Sequence, residues 1–352
     1  MELFKSLKVK DFRGVDDLSF DDLSFVNVFL GENNSGKSTV LEAILLILNM
    51  SNPDTLLQIN GIRARKLFSG VSELKYYFRN MEVASVPNIT LVNTDDTERH
   101  LTLAFSLESG ATPEPMQDVR IGESVLVNTI RMNFEFNRIG ERQEYMSLLR
   151  VDSNGTIVER RVADKYFEKV SVSLITAGMP SANVVNDLTE LFRRNMKGGV
   201  LSLLQLFDDK ITGVEILKDD VYLSYEGIAE MLPSSMMGDG LRRYISIVAA
   251  AANPRTSVVL IDELENGLHY SVYRKLWNAL FALAVRHNKQ IFVTTHSIET
   301  LKALNDTLNI SSEYQDGMRL YTIVRTLKKG HQAYKYTYEG LSAACDNNVE
   351  LR

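Results

Sequence analysis

The chain has 352 residues, 45% hydrophobic and 24% charged, the balance of a soluble globular protein with one large or two medium domains. Its net charge of −6 excludes a chain that coats nucleic acid by charge alone and leaves open only a local basic groove. One cysteine, Cys345, excludes an internal disulfide and a cysteine-rich zinc site, and fits a reduced, cytoplasmic setting.

Met1-Glu2-Leu3-Phe4-Lys5 leads straight into a strand pattern, so no secretory leader is expected. The longest apolar runs, 40–50 and 245–252, are too short to span a bilayer, and no membrane partner is expected. Leu3, Leu7, Val9 and Phe12 alternate as in a strand, and Phe12-Arg13-Gly14 ends it. A second strand, Phe25-Val26-Asn27-Val28-Phe29-Leu30, runs into Gly31-Glu32-Asn33-Asn34-Ser35-Gly36-Lys37-Ser38-Thr39, a complete G-x-x-x-x-G-K-[ST] phosphate loop. The helix after it, apolar nearly all round from Val40 to Leu48, should be buried against a sheet with its N-terminus aimed at the phosphates.

Each loop position has a chemical reason. Gly31 and Gly36 let the backbone wrap closely round oxygens. The Lys37 ammonium should reach the β- and γ-phosphates, the Ser38 hydroxyl should coordinate Mg²⁺, and Thr39 should donate to the α-phosphate. Asn33, Asn34 and Ser35 complete the nucleotide-binding loop, and the expected ligands are ATP and Mg²⁺.

Residues 51–230 read as strands near 89–92, 101–107, 129–136 and 155–161 separated by polar turns, with a loop at 110–115 and helices at 183–196 and 201–208. Heptads are absent, and arginines such as Arg138, Arg142 and Arg150 alternate with nearly as many acids, the pattern of a compact solvated lobe. From 231 the α/β rhythm returns: helix 240–252, strand 257–261, helix 270–287, strand 290–295, helix 298–308, then two strands and a short helix. The division expected is an ATPase core, N-terminal part, at 1–60; an inserted α+β lobe and sheet extension at 61–230; and the C-terminal part of the core at 231–352. The alternation at both ends predicts a parallel, doubly wound core.

Val258-Val259-Leu260-Ile261-Asp262-Glu263 is a buried strand with carboxylates at its C-terminal edge, where open α/β sheets bind ligands. Asp262 would hold Mg²⁺ through its water shell, and Glu263 would polarise the attacking water as general base. Ile291-Phe292-Val293-Thr294-Thr295-His296 is another such strand, and His296 there can hydrogen-bond the γ-phosphate and Glu263. The catalytic candidates are thus Lys37, Glu263 and His296, with Ser38 and Asp262 at the metal.

These pieces resemble the ABC-type ATPase heads of the RecF, SMC and overcoming-lysogenization-defect (OLD) group. Leu7-Lys8-Val9-Lys10-Asp11-Phe12-Arg13-Gly14 is similar to its opening strand and N-F-R segment, and the loop to its G-E-N-N-S-G-K-S. Asp262-Glu263-Leu264-Glu265-Asn266-Gly267-Leu268-His269 is similar to the D-E-x-E-x-G-L-H of its stand-alone prokaryotic AAA-15/AAA-21 ATPases, and Thr295-His296-Ser297 to its switch histidine. More weakly, 59–63 and the ending 349–352 also resemble these proteins. The resemblance implies an α/β, P-loop ABC-type head with a mixed sheet core and an inserted α+β lobe, and an ATP-sandwich homodimer in which each site is completed by the other subunit. Met237-Gly238-Asp239-Gly240-Leu241 falls where the family's L-S-G-G-Q signature lies but departs from it, with Gly238 at the serine and Leu241 at the glutamine. Gly238 and Gly240 can still offer N–H groups at a helix N-terminus to a phosphate of the other subunit. Arg13 resembles an arginine near the nucleotide, and Gln58 a metal-sensing glutamine. Arg242 and Arg243 could reach phosphate or solvate their helix.

The residues after His296 lack the Asp-x-Asp of an OLD Toprim nuclease. The expectation is a Mg²⁺-dependent ATPase, a dimer switch that regulates a separate effector, and the resemblance implies a nuclease or toxin in prokaryotic antiphage defence as that effector. A RecF-like repair ATPase on DNA ends or gaps, and a non-hydrolysing nucleotide-dependent scaffold, are the alternatives.

Overall fold

The computed structural model of the chain describes residues 3–64, 71–110, 125–138, 141–176, 184–326 and 328–347. β1 (Phe4–Phe12) and β2 (Val15–Asp21) form a hairpin, and β3 (Val26–Leu30) enters the glycine loop. α1 (Lys37–Leu48) leaves the loop, with α2 (Asp54–Ala64) beside it. β4 (Asn88–Asn93) pairs with β1, and β5 (Glu98–Gly110), β6 (Val125–Arg138), β7 (Glu141–Val151) and β8 (Ile157–Arg161) add on one after another. The product is a seven-stranded antiparallel sheet in the order β2-β1-β4-β5-β6-β7-β8.

β9 (Val172–Ile175) leaves that sheet and joins a second one. α3 (Val184–Arg193), α4 (Lys197–Phe207) and a small sheet of β10 (Ile211–Leu217), β11 (Asp220–Tyr225) and β12 (Leu232–Pro233) follow. The remaining elements are α5 (Asp239–Ala252), β13 (Val258–Ile261), α6 (Tyr273–His287), β14 (Gln290–Thr295), α7 (Ile298–Ile310), β15 (Met318–Thr326), β16 (Gly330–Tyr336) and α8 (Tyr338–Asp346). The second sheet has the order β16-β15-β3-β14-β13-β9, parallel throughout except for β16 at its edge. The alternation of strands and helices predicts the parallel part of this sheet, and the antiparallel edge strand makes it the mixed α/β core that the resemblance implies.

α1 joins the two sheets. Every residue of it except Ser38 is buried. It touches β1, β4 and β5 of the antiparallel sheet and β9, β13 and β14 of the parallel one. A helix with no wet face needs apolar residues all round, which Val40 to Leu48 supply. In the parallel strands the two-residue period divides side chains between two cores. Phe29, Val258, Leu260 and Phe292 share a core with α1, while Val28, Val259, Ile261 and Val293 share one with α5, α6 and α7.

Residues of the expected inserted region are spread over three places: β4 to β8 extend the sheet that β1 and β2 begin, β9 joins the second sheet, and α3 and α4 pack on α5 with β10 packed on them. Several elements have no counterpart in the sequence reading: β2, α2, β7, β9, the β10–β11 hairpin and β12. The first four residues of β7 are exposed and polar, which hides the strand period, and β9 is only four residues long. The loop at 111–115, residue 183 and the ending 349–352 lie outside the described residues. Among the described residues no helix is long and apolar enough to cross a membrane.

Candidate active site

β3 is wholly buried between β14 and β15, and its end delivers Gly31 to the edge of the parallel sheet. Gly36, the N-cap of α1, has φ 102, a conformation that favours glycine. Glu32, Asn33 and Asn34 form the exposed rim of the loop, whereas Ser35, Lys37 and Thr39 are buried. The Lys37 ammonium folds back over the loop and donates to the carbonyl oxygens of Gly31 at 2.7 Å and Glu32 at 2.8 Å. Burial lowers the Lys37 pKa, and Asp262, Glu263 and Glu265 pull it back up.

Three segments meet at Asp262. Its Oδ1 accepts from the Ser38 hydroxyl at 2.9 Å and from the Thr294 hydroxyl at 2.7 Å. Thr294 Oγ1 in turn accepts from the Glu263 backbone N–H at 2.7 Å, and the Thr294 carbonyl accepts from Leu264 N–H at 3.0 Å. Thr294 thus staples the end of β14 to the acidic turn, a role the sequence reading missed. Glu263 itself has φ 52. Its carboxylate accepts from Asn266 Nδ2 at 3.4 Å.

Arg243 closes the turn from below. Its Nη2 donates to the carbonyls of Asp262 at 2.5 Å and Glu263 at 2.6 Å, and its Nη1 to that of Thr176 at 2.7 Å. Burial lowers the Arg243 pKa, against the opposing pull of Asp262, Glu265 and Glu263. Arg243 therefore neither solvates its helix nor points to solvent for a phosphate; it braces the acidic turn. Arg242 pairs with Asp239 on the surface.

His296 has a different carboxylate partner from the one expected. Its Nδ1 lies 2.9 Å from Glu265 Oε1, and its backbone N–H donates to the same oxygen at 2.8 Å. Asn266 N–H donates to the Glu263 carbonyl at 3.0 Å, a turn that brings Glu265 back towards the end of β14. Glu265 was legible only as the second acid of Asp-Glu-x-Glu.

Arg13 and Gln58, also read as candidates near the nucleotide, have the following surroundings. Arg13 Nε lies 3.0 Å from Glu42 Oε2 on α1, its Nη2 donates to Asn60 Oδ1 at 3.0 Å, and its guanidinium carbon stands 4.9 Å from the Tyr77 ring centre. Gln58 is exposed on α2. Gly238 and Asp239 are exposed at the start of α5, and Gly240 packs against Gly267, where a Cβ would overlap the Gly267 carbonyl. The signature-like segment thus touches the acidic turn of its own chain.

Known proteins similar to this chain are ATPases and related proteins. A family model described as "AAA ATPase domain" matches residues 1–107, and one described as "AAA domain, putative AbiEii toxin, Type IV TA system" matches residues 133–302. An "ATP/GTP phosphatase" of Helicobacter pylori is 24% identical over 333 residues, 87% of this chain and 88% of that protein. An "ABC transporter A family member 4" of Dictyostelium discoideum is 33% identical over 86 residues, 24% of this chain and 5% of that protein. Among solved structures, the Smc head domain bound to the C-terminal domain of ScpA from Pyrococcus furiosus has a TM-score of 0.52 at 10% identity, covering 99% of this chain and 100% of that one. An SmcHead bound to the C-winged helix domain of ScpA has a TM-score of 0.50 at 10% identity, covering 95% and 98%, a likeness of fold alone. ATPase-domain models match the two parts of the chain that meet at Asp262, so this protein is an ATPase, and it has the fold of an SMC head.

Proposed function

We propose that the chain is a Mg²⁺-dependent ATP switch: two copies close on ATP in a sandwich dimer and thereby regulate a separate effector, a nuclease or toxin in antiphage defence. The observation that carries the hydrolytic part is the 2.9 Å hydrogen bond between Ser38 and Asp262, which closes the phosphate loop and the acidic turn into one site. A hydroxyl beside a carboxylate is a donor set that Mg²⁺ takes together with phosphate oxygens and water. Bound there, the ion would neutralise charge on the phosphates. Lys37 leaves the Gly31 and Glu32 carbonyls for the β- and γ-phosphates. Glu263, its backbone fixed by Thr294 and Arg243, polarises the attacking water, and His296 hydrogen-bonds the γ-phosphate.

The dimer reading is supported by the exposed Gly238-Asp239 start of α5, which offers N–H groups outward to a second copy. The effector reading is supported by the toxin-system description of the model on residues 133–302 and by a net charge that does not favour nucleic acid.

The test is ATP turnover and solution mass of wild type, Lys37→Ala and Glu263→Gln. Lys37→Ala is expected to lose ATP binding, turnover and the dimer. Glu263→Gln is expected to lose turnover by about a hundredfold or more while ATP holds it as a dimer. Turnover surviving in Glu263→Gln sinks the catalytic assignment, and a monomer with ATP sinks the sandwich. DNA that raised turnover with a steep salt dependence would transfer the reading to a RecF-like repair ATPase.

A further inference from the structure

Both glycines of the phosphate loop back onto the C-terminal hairpin. A Cβ on Gly31 would collide with the Ile323 carbonyl on β15. A Cβ on Gly36 would sit 3.7 Å and 3.8 Å from Cδ2 and Nε2 of His331 on β16, and 3.1 Å from Cγ2 of Val15 on β2. The edge of the His331 ring, its side chain only 3% exposed, therefore faces the residue that starts α1.

Asp16 holds that ring in place. Its Oδ1 lies 2.7 Å from His331 Nδ1 and accepts from the His331 backbone N–H at 2.9 Å. Gly330, with φ +69, admits the carboxylate to the hairpin turn, since a Cβ there would overlap Asp16 Oδ2. Burial pushes the Asp16 carboxyl up, but the N–H groups of His331 and Asp17 and the imidazole hold it down at about 2. It is an anion at neutral pH. Arg79 Nη2, 3.9 Å from Oδ2, is the other charge beside it.

We propose that Asp16 and His331 are a positioning latch for ATP binding: they press the C-terminal hairpin against the phosphate loop and hold Gly36 in the conformation that converges the loop's N–H groups. Glycine has the most backbone freedom to lose, so an unbraced Gly36 must be ordered by the nucleotide at the expense of affinity. Ordering one residue is worth about tenfold in a dissociation constant. The latch consists of positioning residues, and its effect belongs in affinity rather than in the chemical step.

The inference rests on the loop binding ATP, so the experiment measures ATP dissociation constants by calorimetry and kcat at saturating ATP on the full chain. His331→Ala and Asp16→Asn are each expected to weaken ATP binding about tenfold, with kcat within about twofold of wild type. The double variant is expected to be no weaker than either single one, because the two residues act as a unit. Wild-type affinity in folded His331→Ala, or single effects that add in the double variant, overturns the latch. Should His331→Ala fail to fold, the nearly isosteric Asp16→Asn carries the same measurement with the same two outcomes. A wild-type chain that does not bind ATP would instead strike the site itself, for which Lys37→Ala is the reference.

Discussion

At Glu265 a single carboxylate oxygen serves both the backbone N–H and the Nδ1 of His296, at 2.8 Å and 2.9 Å. A carboxylate on Nδ1 fixes the tautomer and turns Nε2 to whatever binds in front of the sheet. The Glu265 side chain is 10% exposed and that of His296 50%, so the pair is shielded from water on the carboxylate side only. Glu265→Gln keeps an acceptor oxygen but loses the charge and the preference for a donating Nδ1. Turnover should fall about tenfold to a hundredfold, with KM for ATP changed less than about threefold. His296→Ala should do the same, and the pair should not add, since one residue works through the other. Steady-state kinetics of the three variants checks this, and wild-type kcat in Glu265→Gln would remove Glu265 from the mechanism.

Among the elements, α5 connects two functions within its first turn and a half. Gly240 packs on Gly267 in the turn after the acidic strand, and Arg243 holds the carbonyls of Asp262 and Glu263. A displacement at the start of α5 is thus felt at the catalytic turn. Gly240→Ala would drive a methyl group into the Gly267 carbonyl, and a backbone oxygen cannot move aside as a flexible side-chain end can. We expect ATP binding within about threefold of wild type and turnover lowered by about tenfold or more, because the phosphate loop is untouched while the turn shifts. Equilibrium binding and single-turnover hydrolysis separate the two, and full turnover in Gly240→Ala would disprove the connection. The phosphate loop, the acidic strand and the histidine strand were legible because each couples an apolar run to chemistry-bearing residues at its end. The roles of Arg243, Thr294 and Glu265 were not legible, because they are hydrogen bonds, to backbone and to side chains, across segments that only the fold brings together. His331 lies in the C-terminal hairpin, where the sequence reading named no site residue. β7 and β9 were hidden by local composition, the one polar in its first half, the other too short to show a period.

In the whole molecule the two sheets share one helix, and that helix begins at the glycine loop. α1 touches β1, β4 and β5 on one side and β9, β13 and β14 on the other, so neither core can open without exposing it. Such an arrangement should unfold as a single cooperative unit, and ligand bound at Gly36 and Lys37 should stabilise all of it. At a hundred times its dissociation constant, ATP is expected to add about 2.7 kcal/mol by mass action, and nothing in Lys37→Ala. Ile44 is buried in mid-helix, away from the loop. Ile44→Ala should lower stability by about 2–5 kcal/mol yet keep the full increment from ATP. Calorimetry with and without nucleotide decides the matter. Two separate transitions, only one of them moved by ATP, would mean that α1 does not weld the antiparallel sheet to the nucleotide core. One transition moved as a whole would mean that ATP at one end of α1 is felt across both sheets.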